Sequence, residues 1–406
     1  MSVQYIEASA MERLSKTSDG IELWWDSNPL VYERWCEKFI ESVDDEIKDL
    51  IKVQLKKLWD ENEDPSNWVF KGVTTNPPLT KAVFDNLRDE WRPVIKELTR
   101  LYPAMDHEQI TWEAYKEACK RGASRYLTLY ENSGYTKGFV SAQVDPRLFI
   151  EPFTMVKQGL ELRSLQPNIM VKVPATQSGV LAIFLLTALG VPTNATLCYN
   201  LPQIMAVAEA VKLGKETGEA RGVDYSKWRS VITMMIGRFE DAKIFAEQAE
   251  ERGISLTEEM KRWAGIAVAK KAHRILAERN YPSKLLIASS RVSPIVNGRQ
   301  EIWHLEKLAG GNLVITMNPE LIKAFMLHYI DRPIESKIDE PIPEDVMAKL
   351  LKIPYFAEGY GEDTIKPEDF ETLEPTQTTY AQFSKAMIQL EDYIEQLFRE
   401  VKEKVS

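Results

Sequence analysis

One lysine stands where lysines seldom do. In the run Ile169-Met-Val-Lys-Val-Pro-Ala-Thr-Gln-Ser178 the only charged side chain is Lys172, flanked by Val171 and Val173 in an apolar, β-branched stretch that reads as a buried strand. Burial disfavours the ammonium form, so such an amine is expected to lose its proton nearer neutrality and to attack carbonyl carbon. That is Schiff-base chemistry. The plainer reading is a lysine that points to solvent from an alternating strand or pairs with a carboxylate. What decides between them is whether the rest of the chain brings further reactive groups to the same place.

Eight short β-branched runs alternate with segments of helical period, at residues 21–26, 68–75, 138–144, 169–173, 192–197, 230–236, 284–289 and 312–316. This alternation predicts an α/β fold, a single (β/α)8 TIM barrel with additional N-terminal and C-terminal helices; counting alone also allows an open doubly wound sheet. Residues 30–58 read as one helix with Phe39, Val43, Ile47, Leu50 and Ile51 on one face, and residues 178–189 as another, opened by Ser178 as a cap. The polar segment 212–227, with Gly214, Gly218 and Gly222, reads as an extended connection between the fifth and sixth strands. The barrel is expected over residues 1–332. Residues 333–406 form a charged, proline-dotted extension ending in a helix at 378–401. Its stripe of Phe383, Met387, Leu390, Ile394, Leu397 and Val401 is expected to dock on the barrel or on a neighbouring subunit in a homo-oligomer.

A net charge of −10 and a pI near 5.3, without any basic stripe, argue against nucleic-acid or anionic-membrane partners. An anionic ligand must then be held by a local cluster of arginines. Residues 1–7 lack the basic start and apolar core of a secretory signal, and no uncharged stretch reaches the length of a membrane span, so a cytoplasmic location is expected. Cys36, Cys119 and Cys198 are odd in number and far apart, which suits reduced thiols. The four histidines, His107, His273, His304 and His328, lack metal-ligand spacing, and there is no glycine-rich phosphate loop; neither metal nor cofactor is expected.

In a barrel the chemistry collects at the carboxyl ends of the strands. Polar residues lie there: Asp26, Thr74-Thr-Asn76, Gln143, Asn194 and Thr196, Thr233 and Arg238, Ser289 and Arg291. Each has a plain explanation. Asp26-Ser-Asn-Pro29 could cap a helix, Thr-Thr-Asn-Pro could be a turn, Asn194-Ala-Thr196 could be an inert glycosylation sequon, and Arg238 could pair with Glu240 or Asp241 at a helix start. Their coincidence around one buried lysine is harder to dismiss.

In that order the motifs resemble those of transaldolases, class I aldolases that act on sugar phosphates through a lysine Schiff base, over approximately residues 20–326 with gaps. Val73-Thr-Thr-Asn-Pro77 is similar to the family's second-strand signature and Ser141-Ala-Gln-Val-Asp-Pro-Arg147 to its third. Lys172 falls on the Schiff-base lysine of the fourth, Asn194-Ala-Thr-Leu197 on the fifth, Ile236-Gly-Arg238 on the sixth and Ala288-Ser-Ser-Arg291 on the seventh. The resemblance implies that Lys172 attacks the C2 ketone of a ketose phosphate and that Asp26 exchanges a proton with the C4 hydroxyl. It implies that Thr196 and Gln143 hold the water used in imine formation, and that Asn76, Asn194 and Thr233 bind the hydroxyls of the retained three-carbon unit. Arg238, Ser289 and Arg291 would hold the phosphate. Two guanidinium forks with a hydroxyl between them suit that ligand on an otherwise negative protein.

Two positions depart from the pattern. Transaldolases usually carry glutamate where this chain has Gln143, and the related fructose-6-phosphate aldolases pair glutamine there with a tyrosine on the sixth strand, where this chain has Met235. Glutamine positions water but accepts no proton, and a thioether supplies none. Poor proton delivery to an enamine favours transfer to an aldehyde over release of dihydroxyacetone. The alternatives are an aldolase that releases it, a relative acting on a modified ketose, and an idle sugar-phosphate-binding barrel, against which the intact lysine and aspartate argue.

Overall fold

A computed structural model describes residues 7–403, so the start of the stretch read for a secretory signal lies outside the described residues. Eight parallel strands close into a ring: β1 (Glu22–Asp26), β2 (Phe70–Thr74), β3 (Phe139–Gln143), β4 (Ile169–Pro174), β5 (Thr193–Cys198), β6 (Ser230–Met235), β7 (Ser283–Ala288) and β8 (Val314–Met317). β8 pairs with both β7 and β1, with Glu22 opposite Val314, which excludes the open doubly wound sheet. All eight predicted runs are strands of this ring. Helices cover its outside, and a short one at each end of the barrel sequence, Ala10–Ser15 and Pro319–His328, pack on one another.

Side chains alternate in and out along each strand. Those pointing in sort by height. At the amino end Glu22 and Lys284 face each other; above them Trp24, Phe139, Met170, Val231, Leu286 and Val314 form an apolar plug. Gly72 is required beside that plug, since a Cβ there would come within 2.5 Å of the Trp24 ring. Two residues further along, the inward positions of six strands turn polar, Asp26, Thr74, Ser141, Lys172, Thr233 and Thr316, while β7 keeps Ala288 in the apolar cluster. The plug is the floor on which that polar layer stands.

Local expectations needed four corrections. The helix read at 30–58 is a 3-10 turn, Pro29–Val31, followed by two helices, Tyr32–Glu41 and Asp45–Leu58. The Ser42 hydroxyl donates to the Phe39 carbonyl at 2.7 Å and ends the first, while the acidic start Asp45-Glu46 suits the positive end of a new helix dipole. The helix read at 178–189 runs Gln177–Ala188 and is capped by Thr176, whose hydroxyl accepts from the Gly179 N–H at 3.0 Å; Ser178 donates to Ile150 instead. Part of the segment read as a connection belongs to the helix Leu201–Glu219. Its Gly214 and Gly218 permit close packing, because a Cβ at either would lie 2.7 or 2.8 Å from the Phe184 or Ala188 carbonyl oxygen. The last helix starts four residues early, as Glu374–Lys402, with the apolar stripe buried.

Candidate active site

The polar layer is built by register. Gln143 lies opposite Lys172 and Lys172 opposite Asn194, so β3, β4 and β5 present these three side chains abreast. Lys172 is 4% exposed and donates from Nζ to the Thr75 carbonyl at 3.1 Å. Burial lowers its pKa to about 8; Asp26 opposes that shift and Arg238 adds to it. About one amine in ten is therefore neutral at pH 7, far more than for a solvated lysine.

Asp26 ends β1 with its Oδ1 accepting from the Thr74 hydroxyl at 2.6 Å, and Thr74 in turn lies 2.5 Å from the Thr316 hydroxyl. Burial raises the Asp26 pKa, with Lys172 and Thr74 pulling it back. The helix-cap reading fails here, since Asn28 accepts from the Leu30 N–H at 3.1 Å and leaves Asp26 free of that duty. Opposite shifts in two neighbouring groups narrow the gap between amine and carboxyl, which eases proton traffic between them.

Around this pair the hydrogen bonds form a short chain. Thr233 donates to Asn194 Oδ1 at 2.6 Å, and Asn194 Nδ2 donates to the Ser141 hydroxyl at 2.9 Å, all three fully buried. Gln143 is 0% exposed and neither atom of its amide has a partner among the described residues. An unpaired buried amide costs about 1–3 kcal/mol, so this one offers a donor and an acceptor to whatever enters. The Thr196 hydroxyl donates to the Met235 sulfur at 3.9 Å. Asn76 caps the helix Pro77–Asn86 through Oδ1, accepting from the Leu79 N–H at 2.9 Å, which leaves its Nδ2 to donate elsewhere.

The arginines sit on the loops after β6 and β7. Arg238, on the short helix Ile236–Glu240, makes no ion pair among the described residues; its guanidinium lies 6.0 Å from the Phe383 ring. Burial and the nearby Arg291 lower its pKa, and both effects are what an unneutralised cation in a confined place feels. Asp241 pairs with Arg291 rather than with Arg238, at 2.8 Å from Nε, while Arg291 Nη1 donates to the Ser289 carbonyl at 2.6 Å. Ser289 takes a left-handed turn, φ 61°, that folds Arg291 back toward Gly237. The last helix crosses this end of the barrel: Tyr380 stacks on Phe149 at 4.3 Å, Glu391 pairs with Arg147 at 2.8 Å, and Phe383 reaches Arg238. A cleft of about 490 Å³ beside Trp112, Arg147 and Glu391 differs in kind, because Arg147 there is fully engaged by Asp145 and Glu391. Among the described residues no group of three His, Cys, Asp or Glu side chains could hold a metal ion.

Residues 49–390 match the family described as Transaldolase/Fructose-6-phosphate aldolase. The chain belongs to that family. Among its curated relatives, the transaldolase of Thiobacillus denitrificans is 29% identical over 292 residues, covering 66% of this chain and 77% of that protein. That of Mycobacterium ulcerans is 31% identical over 211 residues, 51% of this chain and 55% of that protein, and that of Saccharopolyspora erythraea 28% over 269 residues, 62% and 70%. The aligned part thus spans about half the length of the mycobacterial relative. The matched span takes in most of the last helix and omits β1, and with it Asp26.

Thr74 is among the strand-end polar residues read from the sequence, whereas Ser141 and Thr316 are not singled out there for the polar layer. Parity was the available signal: Ser141 is two residues from Gln143 and Thr316 two from Val314, hence on the same inward face. Phe383 carried no such signal.

Proposed function

We propose that the chain is a transaldolase that moves a dihydroxyacetone unit from a ketose phosphate, sedoheptulose 7-phosphate or fructose 6-phosphate, to an aldose phosphate through an imine on Lys172. The observation that carries this reading is the buried amine of Lys172, its pKa lowered to about 8, in the electrostatic reach of Asp26. Neutral Lys172 attacks the C2 ketone and water leaves, giving an iminium. Asp26 takes the proton of the C4 hydroxyl as the C3–C4 bond breaks; the electron pair passes into the iminium to make an enamine, and an aldose phosphate departs. The acceptor aldehyde then reverses these steps, Asp26 returning the proton, and water hydrolyses the new imine.

Gln143 and Thr196 are suited to hold that water, the first because both ends of its amide are unpaired. Asn194 and Thr233, already bonded to one another, are suited to orient the three-carbon unit, with the Asn76 amide at the rim. Arg238, Ser289 and Arg291 are assigned the phosphate. Residues 1–332 serve as the catalytic barrel and 333–406 as an extension whose last helix walls the mouth through Phe383. We also assign the enzyme to pentose phosphate interconversion in the cytoplasm.

A sulfur atom against Thr196, where a tyrosine would supply a proton, favours transfer over release. With fructose 6-phosphate, dihydroxyacetone release should be slower than transfer to erythrose 4-phosphate; faster release would make the protein an aldolase. The central claim is tested by borohydride reduction in the presence of fructose 6-phosphate and peptide mass spectrometry. The reduced three-carbon adduct is expected on the peptide containing Lys172, and an adduct elsewhere, or none, refutes the mechanism.

A further inference from the structure

Behind the arginine of the proposed phosphate site lies a ring of polar side chains, three of them buried, that the reaction does not touch. Arg291 is held twice. Its backbone N–H donates to His304 Nδ1 at 3.0 Å, and its side chain pairs with Asp241 at 2.8 Å. Because Nδ1 accepts, the proton of the neutral imidazole resides on Nε2, which lies 2.7 Å from Glu240 Oε1 and donates to it. The other Glu240 oxygen lies 3.0 Å from Arg262 Nε, close enough for an ion pair though not aligned for a hydrogen bond, and Arg262 Nη2 reaches Asp241 Oδ1 at 3.5 Å. The circuit therefore closes: main chain of Arg291, His304, Glu240, Arg262, Asp241, side chain of Arg291.

His304 and Glu240 are 0% exposed and Arg262 is 1% exposed. Taking the Arg262 guanidinium and the polar groups facing it out of water is costly, and burial pushes the Glu240 carboxyl well above its usual pKa even beside Arg262, so a structure that needed only stability would be served as well by apolar residues of the same volume. The backbone has also been cleared to admit them. A Cβ on Gly265 would lie 2.0 Å from Glu240 Oε1, and one on Gly237 would lie 2.7 Å from Arg291 Cζ. The three supporting side chains come from three helical elements on two connections: Glu240 on Ile236–Glu240 and Arg262 on Glu258–Glu278, both between β6 and β7, and His304 on the turn Trp303–Glu306 between β7 and β8. Together they fix both the turn and the guanidinium plane.

The geometry points to His304 and Arg262 as positioning residues that aim Arg291 at the phosphate of the substrate, with Arg262 as the hub that serves both its main chain and its side chain. This rests on the assignment of Arg291 to phosphate. Asp241 occupies Nε and Ser289 takes one hydrogen of Nη1, so the edge bearing Nη2 stays open to a bidentate oxyanion. Loosening the ring should harm recognition of the phosphate and spare chemistry at the amine.

The test compares fructose 6-phosphate with fructose as donor, using unphosphorylated glyceraldehyde as acceptor for both. Four variants are measured: Arg291→Ala, His304→Leu, His304→Asn and Arg262→Lys. Arg291→Ala should raise KM for fructose 6-phosphate by about a hundredfold, far more than it raises KM for fructose. His304→Leu and Arg262→Lys, the latter keeping charge but losing the fork, should raise the KM for fructose 6-phosphate by about tenfold, with fructose unaffected. His304→Asn retains an acceptor for the Arg291 N–H and should recover most of the loss.

If Arg291→Ala leaves KM unchanged, the phosphate assignment fails and this inference with it. If Arg291→Ala behaves as expected while His304→Leu and Arg262→Lys match the parent, or lose activity equally on both donors, the ring is merely structural and only the inference falls. Should His304→Leu not fold, Arg262→Lys and His304→Asn still decide the matter, since a positioning role requires a KM defect confined to the phosphorylated donor in the first and little in the second.

Discussion

The two ends of the barrel treat buried charge in opposite ways. At the amino end Glu22 receives Arg229 at 2.7 Å and Lys284 at 2.9 Å, and Trp24 Nε1 donates to it as well. Burial alone would raise its pKa, yet the two cations hold it at about 2. At the carboxyl end Lys172 and Asp26 are each displaced toward neutrality, because burial outweighs the help that either gives the other. The same barrel thus spends paired charge on stability at its base and tolerates frustrated charge at its mouth. Reactivity comes from the second arrangement.

Replacing Lys172 with Met breaks that contrast most sharply. Turnover should fall by roughly a thousandfold or more, because among the described residues no other amine occupies the layer. Stability should rise. The folded pKa of about 8 lies below the ordinary 10.5, so the unfolded chain binds more protons between those values and the native state bears the full penalty below pH 8. That penalty is at most about 3 kcal/mol. Denaturant melts at pH 7 check it, and a variant less stable than its parent would show that the amine is not strained.

At the base the sign reverses. Glu22→Gln should cost about 3 kcal/mol, since it leaves Arg229 and Lys284 without their anion. A depressed carboxyl contributes its full stability above its ordinary pKa of 4.5 and loses it as pH falls toward 2. The parent should therefore lose stability steeply over that interval, and Glu22→Gln should follow a shallower course. Parallel acid-unfolding curves would remove Glu22 from the account.

Finer comparisons stay at the mouth. The pH profile of kcat/KM should rise through a limb near pH 8 as the free amine forms. Arg238→Met, by removing a neighbouring cation, should move that limb to higher pH, and Asp26→Asn should move the residual activity's limb lower. The smallest effect is expected at Met235→Tyr, which restores a donor beside Thr196 and should raise dihydroxyacetone release severalfold relative to transfer.

Much of the barrel was legible because strand parity and composition act locally. Lys172 between two valines, and polar residues recurring where each apolar run stops, reflect the burial that the ring imposes. Helix limits were less legible. Ser42, Thr176 and Gly214 act through one hydrogen bond or one close approach, and their residue types admit other readings. The ring around Arg291 was not legible at all: Arg262 looks like any helical arginine, and His304 lies on a short turn with no periodicity. Only the closing of the barrel brings Glu240, Arg262 and His304 into contact. Phe383 belongs to the same class, since its stripe was visible but its neighbour on β6's loop was not.

The pairing of Glu22 with Val314 also bears on synthesis at the ribosome. β1 emerges early and must wait for almost three hundred further residues before its second neighbour exists, so the nascent chain carries an open sheet edge through most of translation. Contacts this distant in sequence slow folding. Until the ring shuts, water reaches the interior, and the lysine of β4 keeps the ordinary basicity of a solvated amine.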